Sequence, residues 1–184
     1  MTNFLITAAL IVFGLAASVC AQDKATNFGG TWNLDVAKSK LGDRNTIEAQ
    51  TMTVTQTDTD IKVETKTTRK APPEGAPPPG GGRPGGGMGG GMMGGGDMAT
   101  TYALDGKETK TEVQTQMGAM TTVTKAKLEG GKFMITRTTQ TPMGDRTSTE
   151  TWSLGTDGKT LTVESTRPNR DGGTDTTTRV FNKG

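Results

Sequence analysis

The sequence lacks histidine altogether and has one cysteine among its 184 residues. The absence of histidine removes the commonest general base and the commonest metal ligand of proteins. A single cysteine excludes an intramolecular disulfide framework and a cysteine-rich zinc site. The acidic residues show no paired spacing and no base stands ready to activate a serine, so the parts of glycosidase and triad chemistry are missing. We therefore expect no catalytic activity and no bound cofactor.

Aromatic residues and net charge are also scarce. Aromatics make up 4% of the chain and hydrophobic residues 30%, which excludes a large dry core. The 21 Lys and Arg against 19 Asp and Glu give a net charge of +2, a balance that does not favour a nucleic-acid partner. Single-stranded nucleic acid would also need more exposed aromatic rings than this chain has. The length and composition predict one small domain, which we expect to be a monomer.

The N-terminal residues are typical of an export signal. Residues 2–19 carry no charge, and their apolar run has the length of a signal-peptide core rather than of a full membrane span. The small residues near position 20 predict cleavage after Ala21. The sequence therefore predicts a signal peptide at 1–21, a mature domain at 22–184 without a transmembrane segment, and a location in the periplasm or the medium.

A lipoprotein signal with a lipidated Cys20 is the alternative to this soluble export. Such a signal has a branched aliphatic residue three positions before the cysteine and a small residue directly before it. Here Ala17 and Val19 occupy those positions. The mismatch favours soluble export.

The mature chain alternates short apolar-polar runs with turn signals. Threonine makes up about a fifth of the chain, and its β-branched side chain favours strands over helices. Turn signals such as Asp105-Gly106 and Gly130-Gly131 separate the runs, so successive strands are predicted to be antiparallel neighbours. Residues 36–41 are predicted to form a short helical turn that closes one end. Because closure removes bare sheet edges, the sequence predicts an all-β, up-and-down antiparallel barrel of about eight to ten strands.

Residues 27–32 read Asn-Phe-Gly-Gly-Thr-Trp and resemble the first characteristic block of the lipocalins and their calycin relatives. The mature chain is also similar to small, exported, threonine-rich bacterial proteins of unassigned function. The resemblance implies a lipocalin-like barrel whose closed end is plugged by Trp32, with Arg179 of the last strand stacked on the indole ring. The later lipocalin motifs are not visible, and the resemblance implies no activity.

Strand alternation sorts the side chains by height along the barrel. The apolar residues collect near one set of turns, and polar residues continue the same faces toward the other end. Arg137, Arg146, Glu150 and Arg167 are among these polar positions. Charges at the mouth of an apolar cavity would hold the head of an anionic amphiphile. In the alternative interpretation, they are ion pairs between strands and bind nothing.

Two functions from different classes follow from this gradient. The first is an exported, non-catalytic binding protein for a small hydrophobic or amphiphilic ligand. The alternative is a structural or interaction protein of the cell envelope, with a filled barrel and a disordered Met/Gly-rich loop as its interacting part, which could bind Cu(I) or Ag(I) weakly.

Residues 71–98 are rich in proline, glycine and methionine, which predicts a long disordered loop that interrupts the barrel. The strand directions place this loop at the polar end, beside further methionines. Thioether sulfurs are soft ligands that suit Cu(I), and by the same reasoning Ag(I). The candidate metal ligands are Met88, Met92, Met93, Met98, Met117, Met120 and Met143. In the alternative interpretation, the loop is a low-complexity expansion with incidental methionines.

Overall fold

The computed structural model describes residues 26–42, 45–71, 98–115, 118–141, 144–169 and 172–184. The predicted signal peptide and residues 72–97 of the predicted loop lie outside these ranges. Within them the chain forms ten strands and no helix, which confirms the all-β prediction. No helix in these ranges is long and apolar enough to cross a membrane.

The ten strands follow the runs of alternating side chains. They are β1 (Gly30–Leu34), β2 (Ile47–Gln56), β3 (Asp60–Arg69), β4 (Met98–Ala103), β5 (Asp105–Thr115), β6 (Gly118–Glu129), β7 (Lys132–Thr141), β8 (Gly144–Leu154), β9 (Thr160–Pro168) and β10 (Thr174–Lys183). Met98 was assigned to the loop from the sequence, and it is the first residue of β4.

All ten strands belong to one antiparallel sheet in the order β4-β3-β2-β1-β10-β9-β8-β7-β6-β5. The sheet curls until β4 contacts β6. The ring of Tyr102 in β4 then packs against Phe133 in β7, with the ring centroids 5.7 Å apart. The result is a nearly closed up-and-down barrel, and this prediction is confirmed.

The barrel has two different ends. One end, which we call the packed end, carries the connections at residues 57–59, 104, 130–131 and 155–159. The opposite, cavity end carries the β1–β2 and β9–β10 connections, the end of β3 and the start of β4. At the cavity end, residues 36–38 form an isolated turn instead of the predicted helical segment. The helix does not develop because Lys40 returns to the sheet in a β-bridge with Thr178.

The core lies at the packed end, where the apolar residues were predicted to collect. Phe133 packs edge-on against Trp152 with 5.2 Å between the ring centroids, and Phe28 packs against Trp152 at 6.1 Å. Both contacts fall in the range in which aromatic pairs stabilise beyond their buried area. Phe28 precedes β1 and is fully buried, so it closes this end of the barrel.

Trp32 is fully buried among the residues that close the packed end, which form the plug of the barrel. Its indole Nε1 donates a hydrogen bond to the Phe28 carbonyl at 2.8 Å. The cation over its ring is Lys183, with Nζ 5.2 Å from the centroid. This corrects the role that the resemblance implied for Arg179. Lys183 lies directly opposite Trp32 in the β1–β10 ladder. Arg179 lies four residues earlier, about 13 Å away along the strand.

We expect Trp32→Ala to lower the free energy of unfolding by about 3–5 kcal/mol, because it empties a fully buried aromatic site. Trp32→Phe keeps the ring packing but leaves the Phe28 carbonyl without its donor, at a cost of about 1–3 kcal/mol. Denaturant unfolding measures both values. Asn33→Ala, on the exposed face of the same strand, is the matched control. An unchanged stability of Trp32→Ala would contradict the plug.

Candidate functional site

A cavity of about 140 Å³ lies between the aromatic core and the cavity end. Its floor is apolar and includes Trp152 and Phe181, and Leu41, Ile47 and Met98 surround its mouth. Sites for drug-sized ligands usually measure about 300–1,000 Å³, whereas a cavity of about 150 Å³ holds a benzene ring. The volume is therefore that of a small ligand or of one part of a larger one.

Three charged side chains line this cavity: Arg137 of β7, Glu150 of β8 and Arg179 of β10. Each lies on the inward face of its strand, two or four residues beyond a core aromatic, in the direction of the cavity end. Because side chains alternate with period two, the faces that bury Phe133 and Phe181 also turn these groups inward. The three groups thus stand directly above the packed core.

Glu150 links the two arginines. Its Oε2 lies 3.3 Å from Arg179 Nη2 and 3.9 Å from Arg137 Nη1. Ser165 Oγ donates to the same oxygen at 3.3 Å, and Trp152 Nε1 donates to Oε1 at 2.6 Å. The three charged side chains are only 13–19% exposed. One carboxylate therefore serves two guanidinium groups in a largely buried site.

The charges that line the cavity do not balance. Two guanidinium groups and one carboxylate leave an excess of one positive charge. The Nε atoms of Arg137 and Arg179 are buried and have no hydrogen-bond partner among the described protein atoms. A buried donor without a partner costs about 1–3 kcal/mol. The lining of the cavity therefore carries one uncompensated positive charge.

Tyr102 completes the polar wall. Arg137 Nη2 donates a hydrogen bond to the Tyr102 hydroxyl, and Arg137 Cζ lies 5.4 Å from the centroid of the ring. Burial raises the pKa of Tyr102 above its ordinary value of 10.0, although the Arg137 charge pulls it the other way. The phenol thus stays neutral and keeps its proton as a hydrogen-bond donor.

The four residues predicted for ligand binding divide into two pairs. Arg137 and Glu150 meet in the cavity, as described. Arg146 and Arg167 continue the inward faces of β8 and β9 but are exposed. Arg167 Nε lies 3.9 Å from Asp175 Oδ2, and both side chains are half exposed. This is the ion pair between strands that the alternative interpretation expected.

Sequence reasoning missed Arg179 and Tyr102 as cavity residues. Arg179 lies two residues before Phe181 and therefore on the same inward face of β10, so the alternation of side chains could have identified it. The lipocalin resemblance had instead assigned Arg179 to the closed end. Tyr102 was counted as core. Its contact with Arg137 joins β4 to β7 across the curled sheet. No local pattern carries that contact.

Two of the candidate metal-binding methionines lie in the described residues. Met98 lines the cavity, and Met120 is partly buried near the start of β6. Met88, Met92, Met93, Met117 and Met143 lie outside the described residues, so the copper hypothesis stays a prediction. Within the described ranges, no group of three or more acidic or cysteine side chains is placed to hold a metal ion.

No protein-family model and no curated protein matches the chain. Among solved structures, the chain is similar to zebrafish ileal bile acid-binding protein in complex with cholic acid. The identity is 16%, the TM-score is 0.47, and the match covers 85% of this chain and 98% of the other. The fatty-acid-binding protein of Manduca sexta gives 12% identity, a TM-score of 0.44 and coverage of 84% and 97%.

The chain has one tyrosine, so the absorbance of tyrosinate reports Tyr102 alone. We expect its titration midpoint to lie above 10.0 in the folded protein, because burial raises the pKa, and to return to about 10 in denaturant. The folded state then holds a proton that the unfolded state loses, so the free energy of unfolding falls as the pH rises above 10.0.

Arg137→Ala should raise the pKa of Tyr102 further, because the guanidinium group lowers it. The exposed Arg146→Ala is the control and should leave the midpoint unchanged. A midpoint at or below 10.0 in the folded protein would contradict the buried site.

Proposed function

We propose that this protein is an exported, non-catalytic binding protein for a small anionic amphiphile. One observation carries the proposal: the cavity has apolar walls, and its charged lining consists of two arginines and one glutamate. The uncharged N-terminal run at residues 2–19 supports export.

The anionic head binds between Arg137 and Arg179. Guanidinium groups bind carboxylates through charge-assisted hydrogen bonds, which are shorter and about twice as strong as neutral ones. The two guanidinium groups approach Glu150 from different strands, so a second carboxylate beside them receives donors from both. The neutral Tyr102 hydroxyl supplies a further donor on the same wall.

The apolar body of the ligand points toward the mouth of the cavity. The space below the arginines is filled by Trp152 and Phe181, so a hydrocarbon chain has no room there. Leu41, Ile47 and Met98 offer apolar contacts above them. The head is thus bound deep and the tail leaves outward, the reverse of the arrangement expected from the sequence. The small volume favours a short-chain or single-ring acid over a long lipid.

A filled structural or interaction protein remains the second candidate. The packed end has little free space, and the exposed Arg167–Asp175 pair is the kind of contact that binds nothing. In that case Arg137 and Arg179 serve only to neutralise Glu150. Binding experiments separate the two functions.

We expect a short-chain monocarboxylate to bind the wild-type protein more tightly than the primary amide of the same chain. Arg137→Ala should weaken carboxylate binding by about tenfold to a hundredfold, the loss of a hydrogen bond to a charged group. Isothermal titration measures the affinity, and Arg146→Ala is the exposed control on a neighbouring strand. Equal binding of acid and amide, or no effect of Arg137→Ala, would overturn the proposal.

Glu150→Gln should tighten carboxylate binding by about tenfold, because it removes the competing anion from the two arginines. The Gln side chain keeps an oxygen that accepts the bond from Trp152 Nε1, so the local packing is preserved. The same titration, with thermal unfolding as a check of the fold, tests this. Weaker binding by Glu150→Gln would show that Glu150 holds the arginines in place and does not compete with the ligand.

A further inference from the structure

The strand β5 stands at an edge of the sheet and pairs with β6 alone among the described strands. The opposite edge strand, β4, contacts β6 when the barrel curls. Residues 107–112 are exposed on both faces of β5. Among the described strands, one side of its backbone therefore has no ladder partner and can pair with another strand.

This free edge is long and carries charges of alternating sign. β5 has 11 residues, about twice the usual strand length of five to six. Exposed edges of this kind are templates for strand pairing, and charged side chains control which strands are accepted. Glu108, Lys110 and Glu112 follow one another on the outer face of β5. When the symmetry axis passes between two of these residues, the row is complementary to the same row running in the opposite direction.

We infer that β5 pairs antiparallel with β5 of a second copy of this chain and forms a symmetric dimer. A twofold axis through Thr111 places Lys110 of each copy opposite Glu112 of the other. Opposite charges directly across an antiparallel pair are stabilising, and like charges are destabilising. The inference goes beyond the proposed function, and it replaces the monomer expected from composition.

The other charge-matched register is less suitable. An axis through Thr109 would place Lys110 opposite Glu108. This register would include the irregularity between Asp105 and Glu108, where the ladder is interrupted. The axis through Thr111 uses the regular part of β5.

The symmetry of the contact limits the size of the assembly. Pairing of β5 with β5 uses the same surface on both copies, so it closes at two. Pairing of β5 with β4 of another copy would be head-to-tail and would continue into filaments. One strand pair buries less than the roughly 1,200–2,000 Å² of a standard interface, so we expect a weak dimer that forms at high protein concentration.

Charge reversal tests the register directly. Sedimentation velocity across a concentration series should show the wild-type protein shifting from monomer to dimer. Lys110→Glu and Glu112→Lys each place like charges opposite one another twice and should raise the dimer dissociation constant by about tenfold or more. The double variant restores two opposite-charge pairs and should dimerise like the wild type. Lys62→Glu, an exposed reversal on β3, is the control.

The other outcomes overturn the inference. Equal dissociation constants for the wild type and both single variants would show that β5 is not the contact. Open-ended growth would assign the pairing to β4. A monomer in which the β5 amides that do not bond to β6 exchange slowly with deuterium would place another occupant on the edge. A monomer with fast exchange would leave the edge solvated, and circular dichroism establishes that each variant is folded.

Discussion

The packing of six aromatic side chains at one end of the barrel is the interaction on which the rest of the structure depends. The chain has five Phe, two Trp and one Tyr, and Phe4 and Phe13 lie outside the described residues. The remaining six all belong to one buried cluster. Because these side chains fill the packed end, none remains to fill the other. A chain so poor in large apolar residues can close its barrel and still keep a cavity.

The polar wall of that cavity follows from the same strands that build the core. Arg137 and Arg179 face inward because their strands bury Phe133 and Phe181 on the same side. Two largely buried guanidinium groups need counter-charge, and Glu150 is the carboxylate that lines the cavity with them. Buried charges without full compensation are costly. The same inward-facing positions of these strands therefore form the core at the packed end and the polar wall of the cavity above it.

The strands and turns could be predicted well from the sequence, because period-two alternation and glycine turns are local signals. The same signals put the apolar residues at one end. Height along the barrel was harder to predict. Arg146 and Arg167 lie on the predicted faces but beyond the cavity, and Lys183 rather than Arg179 covers Trp32. These positions depend on the stagger between neighbouring strands and on the curl of the sheet that brings Tyr102 to Arg137. Local sequence patterns contain no information about either.

The pairing of the first strand with the last also has a meaning for how the chain folds. Trp32 enters the core beside Lys183, about 150 residues later, so the plug cannot be complete until the C-terminal strand is available. A contact of such long range requires the chain to lose loop-closure entropy before the contact stabilises it, and this slows folding. A nascent chain therefore cannot complete its native core before β10 has been made, so the first strand waits for the tenth.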